Sequence, residues 1–353
     1  MESILTDSYN IYFNSEAYLA LNRVLKEKNY SRIFILVDEN THRDCLPLFL
    51  SSVETTLALE IIEMEVGETH KTIDTCVQIW HALSEMDADR KSLLINLGGG
   101  VVTDLGGFVA STFKRGMEFI NIPTSLLAMV DASIGGKTGV NLGVLKNQIG
   151  VINQPQMVLV MVDFLNTLDK REVSNGFAEM LKHGLISDES YWSELKGVTA
   201  IEALDPFIYT SIQIKNKIVQ QDPNEHNLRK ILNFGHTLGH AIESYFLQKD
   251  KNTALLHGEA IAIGMIMEAF LSFKLCGLGK HQLADIKNTV LERYKKVPFN
   301  KQDIEAILQL LKFDKKNSHG QINFVLLKFI GGAIIDQRVP MILFEEAFAY
   351  YKD

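Results

Sequence analysis

The sequence predicts an α/β domain followed by a mainly α-helical one, and two observations carry that expectation. In the first half, short apolar runs rich in β-branched residues alternate with amphipathic stretches, the pattern of a parallel sheet with crossover helices. Beyond residue 165 the β-type runs largely stop, and apolar residues recur at helical spacing instead. We therefore expect domains at 1–165 and 166–353, and the chain's 353 residues agree, because single cores stop growing near ~250 residues.

The strands expected in the first half are 32–37 (RIFILV), 57–63 (LALEIIE), 92–97 (SLLINL), 118–122 (EFINI) and 157–162 (MVLVMV), with an amphipathic helix over 72–86. In the second half the helical segments are 207–221, 237–246, 258–275 and 303–311, with Pro206, Pro223 and Pro298 read as helix ends. A small hairpin is expected from 322–327 and 333–336, turning at Gly331-Gly332.

Composition excludes several classes of function. With 46% hydrophobic residues the chain is globular, and 35 basic against 43 acidic residues give a net charge of −8. Neither nucleic acid nor an anionic membrane is an expected partner, since both need a clustered basic excess. Cys45, Cys76 and Cys276 form no CxxC pair, which suits a reducing cytoplasm. The opening MESILTDSYN has no signal-peptide pattern and the apolar run 260–267 is too short to span a membrane, so a soluble cytoplasmic protein is expected.

Three loops in the first half suit a nucleotide. Leu97-Gly98-Gly99-Gly100-Val101-Val102-Thr103-Asp104 follows a strand and opens a helix, where glycines let backbone N–H groups approach a pyrophosphate. The usual third glycine of the dinucleotide fingerprint is replaced by Thr103. Asp38-Glu39-Asn40 follows the first strong strand, where acidic and amide groups hold a ribose, and Gly67-Glu68-Thr69-His70-Lys71 follows the next. Gly135-Gly136-Lys137-Thr138 imitates a P-loop, but Asp131 stands where that motif needs its first glycine, so an ATPase or kinase is disfavoured. Asp131, Lys146 and Asn147 bracket Lys137 in sequence and favour an anion near it.

The helical half carries metal-ligand chemistry. Glu179 (GFAEMLKHG), His236 and His240 (NFGHTLGH) and His257 (LLHGEA) are the imidazole and carboxylate donors that a catalytic zinc takes. Two histidines four apart share a helix face, so both His236 and His240 could reach one ion. Thr237 stands where a metalloprotease needs glutamate, which argues against peptide hydrolysis. Gly235, Gly239 and Gly258 beside the candidates are read as easing close approach of a ligand. Glu179 and Lys182 are spaced i, i+3, which by spacing alone is also the pattern of a surface ion pair worth ~0.3 kcal/mol.

Taken in order, GGGVVTDLGGFVASTFKRG, IPTSLLAMVDASIGGKTGVN, LKNQIG, GFAEMLKHGLI, NEHNLRKILNFGHTLGHAIE, LLHGEAIAIGM and DKKN resemble the signature segments of the 3-dehydroquinate synthase family, from about residue 38 to 332. The resemblance implies a Rossmann-like, NAD-binding α/β domain and a helical, metal-binding C-terminal domain. It implies a phosphorus–oxygen lyase of the shikimate pathway that turns 3-deoxy-D-arabino-heptulosonate 7-phosphate into 3-dehydroquinate and phosphate. Transient oxidation by NAD, loss of phosphate, re-reduction and an internal aldol closure make up the implied reaction.

By the same resemblance Glu179, His236 and His257 hold Zn2+ or Co2+, and His240 stands outside the metal's ligands. Asp38, Asn40, Glu68, Lys71, Gly99, Gly100, Val101, Asp104, Thr124, Ser125, Asp131, Phe164 and Thr167 match positions lining the NAD site, with Lys146 between cofactor and substrate. Arg115, Lys137, Asn147, Lys182, Lys215, Arg229, Asn233, His240 and the Lys315-Lys316 pair match substrate-binding positions. Glu225, His240, Lys182 and Lys146 match catalytic ones. A homodimer is implied, with Arg115 reaching the neighbouring subunit's phosphate site. Departures are modest: Thr103 and Gly106 for the usual glycine and threonine, Leu145 for a glycine, His183 for a tyrosine. The rival expectations are a sibling sugar-phosphate cyclase, an NAD- and metal-dependent alcohol dehydrogenase of the glycerol type, and a non-catalytic binding protein on the same scaffold.

Overall fold

A computed structural model describes residues 2–6, 8–143, 145–249, 254–313 and 322–353. The chain divides into two compact units, Met1–Asp169 and Lys170–Asp353.

The first unit is built on a seven-stranded sheet. In chain order its elements are β1 (Ile4–Leu5), β2 (Asn10–Phe13), α1 (Asn14–Glu27), β3 (Ile33–Asp38), α2 (Glu39–Asp44), α3 (Leu46–Leu50), β4 (Leu59–Met64), α4 (Ile73–Glu85), β5 (Leu93–Gly98), α5 (Gly100–Thr112), β6 (Glu118–Pro123), β7 (Lys137–Leu142), β8 (Leu145–Ile152) and β9 (Met157–Val160). The sheet runs β1-β2-β9-β6-β5-β3-β4, parallel except for the antiparallel pair β1 and β2. Strands β3 and β5 are buried on both faces, which is why they read as unbroken apolar runs rather than alternating ones. Phe34, Leu36 and Leu94 pack against Val102, Leu105 and Val109 of α5 and against Ile79 and Leu83 of α4.

All five expected strands form, but two features were not foreseen. The edge pair β1 and β2 is short and only partly buried, and β7 with β8 makes a separate two-stranded sheet. Its segments, KTGVNL and LKNQIGVI, carry Gly139 facing Gly150, and the mutual approach is so close that a Cβ on Gly139 would lie 2.4 Å from the Ile149 carbonyl oxygen. Such glycines weaken any strand signal.

The second unit comprises α6 (Lys170–Ser187), α7 (Glu189–Leu195), α8 (Asp205–Gln221), α9 (His236–Lys249), α10 (His257–Leu275), α11 (Lys280–Arg293), α12 (Lys301–Phe313), β10 (Asn323–Phe329), β11 (Gly332–Arg338) and α13 (Ile342–Lys352). Helix α10 is the axis of the unit: nearly every residue from Gly258 to Ser272 is buried, as expected of a helix apolar all round. Strands β10 and β11 pair antiparallel about Gly331, whose φ of 96° suits the turn. Pro206 opens α8 rather than ending a helix, because a missing N–H costs nothing in a first turn. Among the described residues no helix is long and apolar enough to cross a membrane.

Candidate active site

In the first unit the sheet order reverses beside β3: β4 lies on one side, and β5, β6, β9 and β2 follow on the other. The carboxyl ends of strands flanking such a reversal leave a crevice where open α/β sheets take nucleotides. Nearly all the expected cofactor residues stand on that edge. Asp38 ends β3, Glu68 and Lys71 follow β4, Gly99, Gly100, Val101 and Asp104 follow β5, Thr124, Ser125 and Asp131 follow β6, and Phe164 and Thr167 follow β9. Asn40 lies in the first turn of α2.

Gly99 sits at the N-cap of α5 and, as a glycine, supplies no side-chain cap. Asp38 is fixed by its own helix: its Oδ1 accepts from Thr41 N at 2.8 Å and from Thr41 Oγ1 at 3.0 Å. The Thr124 amide donates to Gly98 O at 3.0 Å, and Thr167 Oγ1 donates to Phe164 O at 2.7 Å, with the Phe164 ring buried in the core.

A polar cluster closes this edge. The buried Lys71 Nζ donates to Asp104 Oδ2 at 2.5 Å and to Asn147 Oδ1 at 2.7 Å. Asn141 knits the same group, with its N on Lys71 O at 2.8 Å, its Nδ2 on Glu68 Oε1 at 3.0 Å and its Oδ1 accepting from Asn147 N at 2.9 Å. Lys146 Nζ comes to 3.8 Å from Glu68 Oε1. Burial pushes the Asp104 carboxyl above its ordinary value, against the pull of Lys71. Asn141 was not among the expected site residues, although it closes the quoted segment GGKTGVN.

Lys137 and Arg115 stand elsewhere. Lys137 opens β7, at the end of the hairpin opposite the turn that carries Lys146 and Asn147. Gly135 and Gly136, with φ of 95° and 69°, lead into a strand and not a helix, which removes the P-loop reading structurally. Arg115 precedes β6 and so lies at the amino edge of the sheet, away from the glycine turn. Gly106, one of the departures, faces Asn96: a Cβ there would stand 2.0 Å from Asn96 Oδ1, while Asn96 Nδ2 donates to Asn121 Oδ1 at 2.9 Å inside the core.

In the second unit three helices bring the metal-type donors together. Glu179 on α6 is fully buried, and its Oε1 faces His236 Nε2 of α9 at 3.5 Å and His257 Nε2 of α10 at 3.6 Å. Its Oε2 is in ion-pair contact with the buried Lys182. Burial raises the Glu179 carboxyl, but Lys182, His236 and His257 together hold it well below its ordinary range. Neither carboxylate oxygen has a hydrogen bond of good geometry.

Both imidazoles are held by their other nitrogen. His236 Nδ1 lies 3.1 Å from Phe234 O, and a carbonyl only accepts, so Nδ1 carries a proton and, in the neutral ring, Nε2 holds the lone pair. His257 Nδ1 lies 3.4 Å from Glu243 Oε2. Burial alone would lower the His257 pKa, but Glu243 and then Glu179 push it up to about 9. Two donors each about 2.1 Å from a tetrahedral ion stand about 3.4 Å apart, close to the separations here, so a buried carboxylate and two oriented imidazoles fit a divalent cation. The His240 ring centroid is 5.1 Å from that of His236 and 5.7 Å from that of His257, and one nitrogen of each of the three rings lies within 4.8 Å of the others.

The glycines near these ligands act differently from the expectation. A Cβ on Gly258 would lie 2.0 Å from Asn175 O of α6, and one on Gly239 would lie 2.7 Å from the Ile261 side chain of α10. They let helices touch, and the candidate ligands converge because the helices do. The Glu179–Lys182 pair is not a surface pair, since both side chains are almost fully buried. Gly235, with φ of 79°, leads into α9, and buried Glu268 of α10 accepts from Gly235 N at 2.6 Å and Leu238 N at 3.0 Å. Neither Glu243 nor Glu268 was singled out from sequence; Glu243 was visible as the residue seven after His236, on the same helix face.

The remaining expected polar residues of the second unit lie on α6, α8 and the segment between α8 and α9. Glu225, with φ of 58°, accepts from Asn233 Nδ2 at 2.7 Å, and the buried Arg229 donates to Pro223 O at 2.7 Å. Lys215 of α8 is buried, and His183 Nδ1 lies 2.7 Å from Ser211 Oγ. Lys315 and Lys316 fall outside the described residues.

Comparison with known proteins now defines the class. The fold is that of solved sugar-phosphate cyclases: a 2-deoxy-scyllo-inosose synthase complexed with carbaglucose-6-phosphate, NAD+ and Co2+ superposes with a TM-score of 0.85 over 98% of each chain at 23% identity. A 2-epi-5-epi-valiolone synthase from Streptomyces hygroscopicus subsp. jinggangensis 5008, with NAD+ and Zn2+ bound, also gives 0.85, at 25% identity over 100% of this chain and 99% of that one. Residues 61–175 match the 3-dehydroquinate synthase N-terminal family and residues 176–317 the 3-dehydroquinate synthase C-terminal family. The chain is 42% identical to the 3-dehydroquinate synthase of Parabacteroides distasonis over 94% of its own length and 95% of the relative's, and 37% identical to that of Campylobacter jejuni subsp. jejuni serotype O:6 over 92% and 94%. The chain belongs to the 3-dehydroquinate synthase family.

Proposed function

We infer that this chain converts 3-deoxy-D-arabino-heptulosonate 7-phosphate to 3-dehydroquinate and phosphate, a lyase step in the shikimate pathway, carried out in the cytoplasm with no nucleic-acid or membrane partner. The observation that carries the reading is the convergence of Glu179 Oε1 on His236 Nε2 and His257 Nε2 at 3.5 and 3.6 Å, in a chain 42% identical to a relative of that name. Glu179, His236 and His257 would hold zinc or cobalt, which when bound polarises a substrate hydroxyl and lowers its pKa. NAD, bound at the carboxyl edge of the sheet, supplies hydride acceptance and return.

The chain's own residues bind and orient. Gly99, Gly100 and Val101 offer uncapped helix amides to the pyrophosphate, and Asp38 and Asn40 hold a ribose. Glu68, Lys71, Asp104, Thr124, Ser125, Asp131, Phe164 and Thr167 shape the rest of that crevice. Lys137, Lys146, Asn147, Lys182, Lys215, Arg229, Asn233, Lys315 and Lys316 supply the cations and amides that an anionic carboxylated sugar phosphate needs. His240, one turn past a ligand, orients the substrate's phosphate, and Glu225 accepts a proton.

The working form is a homodimer in which Arg115 serves the partner's site. Its position at the amino edge of the sheet, away from the glycine turn, supports this. Co-expressed Arg115→Ala and His236→Ala chains should then regain phosphate release that neither has alone; no recovery would refute the exchange.

The deciding experiment is phosphate release from the heptulosonate, abolished by chelator or by removal of NAD, with no net NADH formed. Turnover of sedoheptulose 7-phosphate or glucose 6-phosphate, with none of the heptulosonate, would overturn the substrate. Stoichiometric NADH would instead indicate a dehydrogenase. His236→Ala should lose metal, whereas His240→Ala should keep it and lose rate; equal depletion of both would make His240 a ligand.

A further inference from the structure

The face of α9 that carries His236 and His240 continues one turn further to Glu243. Glu243 is only 4% exposed, and a carboxylate so deep in the unit must be matched by a donor. Its Oε2 lies 3.4 Å from His257 Nδ1, while the Nε2 of that ring lies 3.6 Å from Glu179 Oε1. One imidazole thus stands between two carboxylates, one at each nitrogen. His236 is oriented by a carbonyl, Phe234 O at 3.1 Å from its Nδ1. A carbonyl selects the tautomer and adds no net charge; a carboxylate selects the tautomer and adds a negative charge.

We propose that Glu243 is a positioning residue for the metal centre: it accepts the Nδ1–H of His257, fixes the orientation of that ring, and so presents its Nε2 on the side of Glu179. The proposal rests on the reading of Glu179, His236 and His257 as the metal ligands. Glu243 touches neither substrate nor cofactor in this assignment. Its effect passes through His257, and because it lies on α9 while His257 opens α10, metal retention becomes coupled to the packing of those two helices.

The test is a zinc titration of the apo full-length protein against a chromophoric chelator, for the wild type, Glu243→Gln and Glu243→Ala. The glutamine keeps an acceptor and loses the charge; the alanine loses both. Zinc affinity should fall about 10- to 100-fold in Glu243→Ala, the range for lost partners of metal-bound histidines, with Glu243→Gln between it and the wild type. The d–d bands of the cobalt-loaded protein should shift in both variants, and saturating metal should restore most of kcat. Far-UV circular dichroism of apo Glu243→Gln should match the wild type. If both variants bind zinc within twofold of the wild type while only their melting temperature falls, Glu243 is merely structural and the proposal is overturned. If His236→Ala binds zinc as tightly as the wild type, the ligand assignment itself fails, and this inference fails with it.

Discussion

Replacing Lys182 by methionine keeps most of the side chain's length and removes a charge from the most enclosed part of the second unit. Glu179 is fully buried and Lys182 is 1% exposed, with the ammonium in contact with the carboxylate. Deleting one partner of a buried pair strands the other charge, at a cost of about 3–5 kcal/mol. The apo variant should lose about that much stability. Zinc offers a replacement positive charge, and at 100 times its Kd it returns about 2.7 kcal/mol by mass action. Urea unfolding of apo and zinc-loaded protein, followed by fluorescence, measures both. The chain has two tryptophans, and in a Trp80→Phe background the buried Trp192, bonded through Nε1 to Asp285 at 2.9 Å, reports the helical unit alone. The sign with pH is fixed, since the folded pKa of Glu179 is depressed. Its contribution is present above the unfolded value of about 4.3 and is lost as pH falls through the folded value. The difference between wild type and variant should therefore be full at neutral pH and shrink in acid. Equal apo stability at neutral pH would refute the claim that Lys182 holds this carboxylate.

Three further outcomes are expected. Gly258→Ala drives a Cβ to 2.0 Å from Asn175 O, so the first turn of α10 must back away from α6; we expect a loss of about 1–3 kcal/mol and weaker zinc binding in the same titration. Gly106→Ala displaces the Asn96 amide from Asn121, which leaves buried polar groups short of a partner and should cost about 1–3 kcal/mol in urea unfolding read by Trp80. Asp303 is held low, with burial outweighed by hydrogen bonds from Lys249 Nζ, Tyr245 and the Asn300 amide; its stabilisation is present above about pH 4 and lost as pH falls, so the urea midpoint of Asp303→Asn should vary less between pH 7 and pH 3.

How far sequence reveals such a site depends on which physical force leaves a linear trace. Strands β3 and β5 were legible because burial on both faces demands unbroken apolar runs. The hairpin β7–β8 was not, since Gly139 and Gly150 exist to let two backbones touch and resemble loop residues in the chain. The same blindness affected NFGHTLGH. Its glycines looked like room for a ligand, yet they are contact points between α9 and α10. Spacing put Glu179 and Lys182 on one helix face, but only the packing of α6 decides that this face points inward. Glu268 was invisible for a related reason, and Glu243 showed only through its spacing from His236: acidic residues in helices are ordinarily solvated, and nothing local marks those that are enclosed.

Both units contain a helix that begins at a glycine, and the two beginnings have opposite electrostatic fates. At α5 the N-cap is Gly99, which has no side chain to take the first amides. At α9 the Glu268 carboxylate already takes the amides of Gly235 and Leu238. A helix start answered by an internal acid has less positive potential left to attract a mobile anion. Negative groups that a ligand brings near this helix start then depend on side chains rather than on its amides. Ligand choice there is accordingly open to change one side chain at a time, with no helix to move, whereas the preference of the α5 turn is written in the backbone and survives any substitution that leaves its glycines alone.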